Sequence, residues 1–347
     1  MAQQTVLVTG GSGFIASWCI SVLLERGFKV RATVRSTAKE ASVRAAVTPA
    51  AAVHVKDNLT CVVADLTADA GWDEAVAGCE YVLHVASPVF AALKASDPEE
   101  VIRPAREGTL RVLRAATRAG VKRVVVTSSL AAVVPPNVDE DKIFDEQIWT
   151  DTSDPALSTY RRSKTLAERA AWEFFQNEPS TTTTLTTILP GMVLGPLLSP
   201  AHLEGSTKMI HRLLNGSPSL CPRISMMITD VRDLADAHVA ALTSPDAAGQ
   251  RLIITSEMKL LLDVATILRE ELTAEEAANV PVRNMPDWIL RIMGWFSGEI
   301  AMIVPMIGRK ACWSAANAQK RIGFTPRPAR TTIVDCARSL LELPKST

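Results

Sequence analysis

The stretch that most constrains this 347-residue chain is Val6-Leu7-Val8-Thr9-Gly10-Gly11-Ser12-Gly13-Phe14-Ile15-Ala16, close to its amino end. A β-branched apolar run leads directly into a glycine turn. The turn leads into a segment where Ile15, Cys19, Val22 and Leu23 recur at helical spacing until Gly27, a residue suited to the position just past a helix end. Glycines permit positive φ and let the backbone approach a pyrophosphate, while the start of a helix offers unpaired N–H groups and a positive dipole end. A second strand-like run, Lys29 to Val34, follows at the distance a βαβ unit requires. Strand, glycine turn, helix and strand together describe a dinucleotide site.

The same alternation continues, with β-branched runs at Leu59–Ala64, Tyr81–Val85, Lys122–Thr127 and Thr184–Leu189 and helical patterns over about Pro98–Ala119 and Leu157–Phe175. The expected fold class is therefore α/β: a Rossmann-type doubly wound parallel sheet with a smaller, discontinuous α/β substrate-binding lobe. Beyond Pro190 the chain is broken by Gly191, Gly195, Pro196, Pro200, Gly205, Gly216, Pro218 and Pro222. We read 1–190 as the dinucleotide-binding domain, with a returning segment at about 229–255 that contains a strand near Arg251–Thr255. Residues 191–228 and 256–330 would form the lobe, and 331–347 a carboxyl-terminal helix and tail.

The end of the second strand selects the cofactor, because an acidic residue there would bind a ribose 2′-hydroxyl and an arginine a 2′-phosphate. The run Ala32-Thr33-Val34-Arg35-Ser36-Thr37 has Arg35 there and no acid before Glu40, which favours NADPH, with Lys39 and Arg44 as helpers. Asp65 and Leu66 close the third strand, either beside the adenine or as an ordinary turn cap.

Tyr160 and Lys164 stand four apart in a helical pattern and so project from one face. A tyrosine with a pKa near 10 needs help to exchange a proton near neutrality, and an ammonium beside it favours the phenolate. About thirty residues earlier, the strand Val124-Val125-Val126-Thr127 ends in Ser128-Ser129, where a hydroxyl could stabilise a carbonyl oxygen gaining charge.

These segments resemble the extended short-chain dehydrogenase/reductase superfamily. Arg31-Ala32-Thr33-Val34-Arg35, Val82-Leu83-His84-Val85-Ala86-Ser87-Pro88, Asp97-Pro98-Glu99-Glu100-Val101-Ile102 and Ser163-Lys164-Thr165-Leu166-Ala167-Glu168 are similar to its dihydroflavonol reductase, cinnamoyl-CoA reductase and fungal aldehyde reductase branch. Pro190-Gly191-Met192-Val193-Leu194-Gly195-Pro196 and Ile322-Gly323-Phe324-Thr325-Pro326 extend the likeness over most of the chain. The resemblance implies that Ser129 polarises a substrate carbonyl, Tyr160 delivers a proton, and Lys164 binds the nicotinamide ribose and lowers the tyrosine pKa. It further implies Gly10, Gly13, Phe14 and Ile15 at the pyrophosphate, Arg35 at the 2′-phosphate and Asp65 and Leu66 at the adenine. Ala86 and Ser87 would follow the ribose, and Pro190 and Val193 would flank the nicotinamide.

Three departures bear on substrate. Ala16 replaces the third glycine of the usual loop. Leu130 and Val134 stand where the plant flavonoid enzymes have a small residue and a hydroxyl-binding asparagine, which argues for an apolar pocket and against dihydroflavonols. Leu157-Ser158-Thr159-Tyr160-Arg161-Arg162-Ser163-Lys164 replaces the N-W-Y-C-Y-G-K type run of cinnamoyl-CoA reductases, which argues against CoA thioesters.

Lys plus Arg and Asp plus Glu number 37 each, so nothing points to a nucleic acid or an anionic membrane. The six cysteines form no C-x-x-C pair and the histidines no metal spacing. We expect His84 to be a core residue and His202 and His211 to lie on loop surface, with a place along the substrate pocket as their alternative. Ile289–Ile307, carrying Arg291, Glu299 and Pro305, reads as a lid or core segment and not a membrane span. The amino end has no signal-peptide pattern, so a cytoplasmic monomer or homodimer is expected. The reading is an NADP(H)-dependent carbonyl reductase acting on a small hydrophobic or aryl substrate. A 3β-hydroxysteroid dehydrogenase-like enzyme, an NAD-linked nucleotide-sugar epimerase or dehydratase, and a dinucleotide-sensing regulator are the alternatives.

Overall fold

The β-branched runs become strands and the glycine and proline breaks become turns in a computed structural model that describes residues 3–88, 97–135, 142–178, 181–296 and 304–343. The strands are β1 (Thr5–Val8), β2 (Lys29–Val34), β3 (Leu59–Val63), β4 (Tyr81–His84), β5 (Arg123–Thr127), β6 (Ile143–Phe144), β7 (Thr184–Pro190), β8 (Met192–Leu194), β9 (Ser225–Asp230), β10 (Gln250–Ile254), β11 (Met258–Leu260) and β12 (Cys312–Trp313). The helices that position the site are α1 (Phe14–Glu25), α2 (Glu99–Arg118), α3 (Thr159–Asn177), α4 (Ser206–Leu214), α5 (Val231–Thr243), α6 (Leu261–Glu271), α7 (Asp287–Gly294), α8 (Ala316–Ile322) and α9 (Ala329–Leu341).

Seven parallel strands form one sheet in the order β10-β7-β5-β4-β1-β2-β3. Helices cover both faces, which is why the middles of β1, β4 and β5 (Val6–Val8, Val82–Leu83 and Val124–Val126) are buried, apolar and do not alternate. Val6, Val8, Val125 and Ile188 pack against α1 and α5 in one core, while Leu7, Val82, Val124 and Val126 pack with Val112 and Leu113 of α2 and Ala171 of α3 in another. Strand order reverses between β1 and β4, which opens a crevice at their carboxyl ends.

A second sheet, β11-β9-β8, carries the lobe. Its core joins Leu194 and Ile228 to Ile210 of α4, Val264 and Leu268 of α6, and Ile333, Ala337 and Leu340 of α9. Two placements differ from the sequence expectation. Helix α9 is part of the lobe core and not a separate tail, because its apolar stripe is covered by α4 and α6. Residues 315–324 leave the lobe: Ala318 and Phe324 pack with Leu252 and Ala247 against the large sheet.

The apolar segment also differs from the core reading. Trp288, Trp295 and Phe296, on and just past α7, are 64%, 82% and 84% exposed, and the rest of the segment lies partly outside the described residues, Met302 included. Among the described residues no helix is long and apolar enough to cross a membrane.

Candidate active site

The turn after β1 is held from below and above. Gly10 has φ of +70° and its N–H donates to Thr33 Oγ1 at 3.0 Å, and the Gly13 N–H donates to the Gly10 carbonyl at 2.9 Å. A Cβ on Gly10 would lie 3.0 Å from Ala86 Cβ, and one on Gly11 would lie 2.8 Å from Ala32 Cβ, so neither position accepts a larger residue without movement. Gly13 precedes α1 with no side-chain cap. The first-turn N–H groups of Phe14 and Ile15 are therefore available to an anion, and the flat glycine cradle suits a pyrophosphate. Ala16 is fully packed in the core, which absorbs its methyl group.

Arg35 is exposed at the end of β2, and its side chain makes no hydrogen bond or ion pair among the described residues. Of its expected helpers, Lys39 is exposed, whereas Arg44 is engaged by Glu40 at 2.8 Å and by the Val55 carbonyl at 3.1 Å. Asp65 Oδ1 accepts from the Thr67 N–H and hydroxyl at 2.8 and 2.7 Å, bonds that hold its carboxyl below the usual range, with the Arg35 charge adding a smaller pull. Asp65 is thus a turn cap within reach of the Arg35 field. Leu66 packs its Cβ against Gly108 of α2.

Beyond β4, Ala86 and Ser87 are half-buried, and the Ala86 N–H donates to Thr9 Oγ1 at 3.0 Å. Thr9 in turn meets His84 Nδ1 at 2.9 Å, and His84 Nε2 meets Thr109 Oγ1 at 3.3 Å. Since Thr109 spends its proton on the Ala105 carbonyl, the consistent arrangement is Nε2–H on a neutral His84, and burial pushes its pKa down to about 3. His84 is a strut under the glycine loop.

The serine pair after β5 divides its labour. Ser128 is buried and donates to Glu168 Oε2 at 2.5 Å. Ser129 instead turns to the crevice, where its Oγ accepts from the Ala131 N–H at 3.1 Å and from Tyr160 Oη at 3.4 Å. Both of its lone pairs are used, which leaves its hydrogen for a third group. Ser158 caps α3 through the Arg161 N–H, fixing Tyr160 in the first turn.

Lys164 is 8% exposed and donates to the Thr127 carbonyl at 3.1 Å; burial pushes its pKa down to about 8, against the opposing pull of Glu168. Burial raises the Tyr160 pKa and outweighs the lowering by the Ser129 bond and the Arg161 charge.

Pro190 ends β7 and Val193 lies in β8, both buried. Leu130 packs with Val133, Met227, Ile253, Met258 and Trp313, and half-buried Val134 follows, its N–H held by Thr150 Oγ1 at 2.8 Å.

Two site residues escaped the sequence reading. His202 is not on loop surface: it is 3% exposed, meets the Phe14 ring at a tilt with centroids 5.6 Å apart and is held neutral by burial, with a pKa of about 4. Glu168 is 2% exposed and accepts from Ser128, Thr187 and Arg251, the latter two at 2.8 Å. Its spacing from Lys164, one helical turn, was the available signal.

A family model described as the NAD dependent epimerase/dehydratase family matches residues 6–254. Cinnamoyl-CoA reductase CAD2 of Medicago truncatula is 39% identical over 274 residues, 77% of this chain and 80% of that protein. An anthocyanidin reductase ((2S)-flavan-3-ol-forming) of Vitis vinifera is 33% identical over 266 residues, 72% of this chain and 76% of that one. Among solved structures, yeast methylglyoxal/isovaleraldehyde reductase Gre2 complexed with NADPH matches with a TM-score of 0.81 at 27% identity, covering 98% of each chain.

Proposed function

The chain belongs to the NAD dependent epimerase/dehydratase family, in the extended short-chain dehydrogenase/reductase branch of the dihydroflavonol, cinnamoyl-CoA and aldehyde reductases, and from there we propose that it reduces an aldehyde or ketone with a hydrophobic or aryl body to the alcohol. It is an NADP(H)-dependent oxidoreductase acting on carbonyl groups.

The bound cofactor supplies the hydride. Gly10, Gly13, Phe14 and Ile15 would hold its pyrophosphate, Arg35 its 2′-phosphate, and Asp65 and Leu66 its adenine, with Ala86 and Ser87 along the ribose. Lys164 would bind the nicotinamide ribose, and Pro190 and Val193 would border the nicotinamide.

Ser129 carries the reading. With its lone pairs taken by Ala131 and Tyr160, its hydrogen is aimed to receive a carbonyl oxygen, which it would stabilise as charge develops. Tyr160, adjacent to the same point, would protonate that oxygen. A phenol whose pKa is raised by burial keeps its proton at neutral pH, as an acid in the reductive direction must. Leu130, Val134 and Met227 would face the substrate body, and the run around Tyr160 favours aldehydes and ketones over thioesters.

The test is the rate of nicotinamide absorbance loss with NADPH and with NADH on aryl and aliphatic aldehydes, β-keto esters, aryl and steroid ketones and a CoA thioester. Turnover with NADPH on hydrophobic aldehydes or ketones is expected. Silence on every carbonyl, with dinucleotide binding retained, would move the assignment to the sugar-nucleotide or regulatory readings.

A further inference from the structure

Helix α7 turns its apolar face outward. Leu290 is buried, whereas Trp288, Arg291 and Ile292 are exposed. Trp295 and Phe296 are exposed as well, and they continue the coil, their N–H groups donating to the Ile292 and Met293 carbonyls at 3.0 and 3.1 Å. At about 100° per residue, Trp288, Ile292, Trp295 and Phe296 fall in one arc opposite Leu290, with Arg291 at its edge. Of the ten large apolar side chains exposed among the described residues, five lie within 288–296, Met293 being the fifth. A single exposed apolar residue is ordinary, but a contiguous ridge marks a surface that meets something apolar.

The charge around the ridge is one-sided. Over 281–296 and 304–313 stand Arg283, Arg291, Arg309 and Lys310, all exposed and none with a hydrogen bond or ion pair from its side chain among the described residues. Asp287 is the one acid in those stretches, and the Arg223 guanidinium already holds it at 3.0 and 2.6 Å. The fold joins these cations to the ridge. Arg291 lines one shallow groove with Trp288, Arg223 and Asn284, and Arg283 precedes Asn284. The Gly308 N–H donates to the Arg223 carbonyl at 2.8 Å, so Arg309 and Lys310 follow directly from the groove's edge. The equal totals of acidic and basic residues conceal this local excess.

We propose that this face is a docking surface for an anionic lipid bilayer. Trp288, Ile292, Trp295 and Phe296 enter the boundary between headgroups and acyl chains, and the four cations meet the headgroups. An indole suits that boundary, its ring apolar and its N–H able to bond a headgroup. Aromatic and aliphatic residues rimmed by arginine and lysine are the composition of helices that lie in the plane of a membrane surface. A second copy of the chain is the poorer occupant, because a two-fold pairing of this face sets its four cations against the same four, with no unpaired acid among its described residues to offset them. The surface goes beyond the reductase reading and does not depend on it.

Co-sedimentation of the full chain with vesicles of phosphatidylcholine alone, and of phosphatidylcholine with about one third phosphatidylglycerol, tests the surface. The wild type is expected to bind the anionic vesicles at least tenfold more strongly than the neutral ones, and less strongly as salt is raised. Trp295→Ser combined with Phe296→Ser should lose at least tenfold on the anionic vesicles. Arg291→Gln combined with Lys310→Gln should lose most of the preference for anionic over neutral vesicles. Melting temperature and NADP+ affinity of both double variants should match the wild type, since the side chains changed are exposed. No binding of the wild type to anionic vesicles, or binding that neither double variant weakens, would overturn the proposal. A dimer seen by light scattering that Trp295→Ser with Phe296→Ser dissolves, in a protein that binds no vesicle, would overturn it too and give the face to a second copy.

Discussion

Glu168→Gln separates what holds the site together from what performs the chemistry. Glu168 is 1% exposed at its side chain and pairs with Arg251, 10% exposed, at 2.8 Å, while also accepting from Ser128 and Thr187. Arg251 additionally stacks on Trp149, 3.7 Å from the ring centroid, and so cannot follow its lost partner into solvent. Removing one member of such a buried pair costs about 3–5 kcal/mol, because the other charge remains uncompensated. With an unfolding entropy of about 2.1 cal/mol/K per residue, the whole chain gives about 0.7 kcal/mol/K and a fall in Tm of about 4–7 °C. The second consequence is electrostatic. Glu168 opposes the burial that lowers Lys164, so its neutralisation lets the Lys164 pKa fall below its present value of about 8. Lys164 then loses its charge at lower pH, and the alkaline limb of the kcat/KM profile for reduction moves to more acid pH. Calorimetry and a pH–rate series on the same preparation read both effects. An unchanged Tm together with an unmoved alkaline limb would refute the reasoning.

Arg35→Asp should raise the KM for NADPH at least tenfold while leaving NADH little affected, and equal changes for both would reject the 2′-phosphate assignment. His84, His202 and His238 are buried with pKa values lowered to about 3, 4 and 4, so below about pH 6.5 the unfolded chain takes up protons that the folded chain refuses. Their contribution is complete above pH 6.5 and is lost as pH falls, at about 2 kcal/mol per histidine between pH 7.5 and 5. That corresponds to a drop in Tm of about 8 °C for the three together, measured by calorimetry at the two pH values; a flat Tm over that range would contradict their neutral burial.

Features set by short-range patterns were legible in the sequence. The glycine turn, the strands that flank it and the Tyr160–Lys164 face depend on residues a few positions apart, and the structure holds them where those patterns place them. The division between Ser128 and Ser129 could be argued from likeness alone, yet it is fixed physically by Glu168, forty residues away in sequence. Arg44 was readable as a spent cation, since Glu40 lies one helical turn before it. The burial of His202 against Phe14 was not readable, because it joins segments far apart in the chain that no periodicity links. The course of 315–329 failed for the same reason: whether α8 and α9 cover the large sheet or the lobe is decided by which apolar stripe lacks a neighbour. The bond from Lys164 to the Thr127 carbonyl was likewise not readable, since it joins α3 to the end of β5 and not to a neighbour on the same helix face.

The central claim is that Tyr160 protonates a carbonyl oxygen held by Ser129, and Tyr160→Phe tests it most directly, by single-turnover reduction of an accepted aldehyde alongside a titration of NADPH binding. The account predicts a loss of at least a hundredfold in turnover, the scale of general acid catalysis, with NADPH affinity and Tm retained. Turnover equal to wild type in the variant would contradict it.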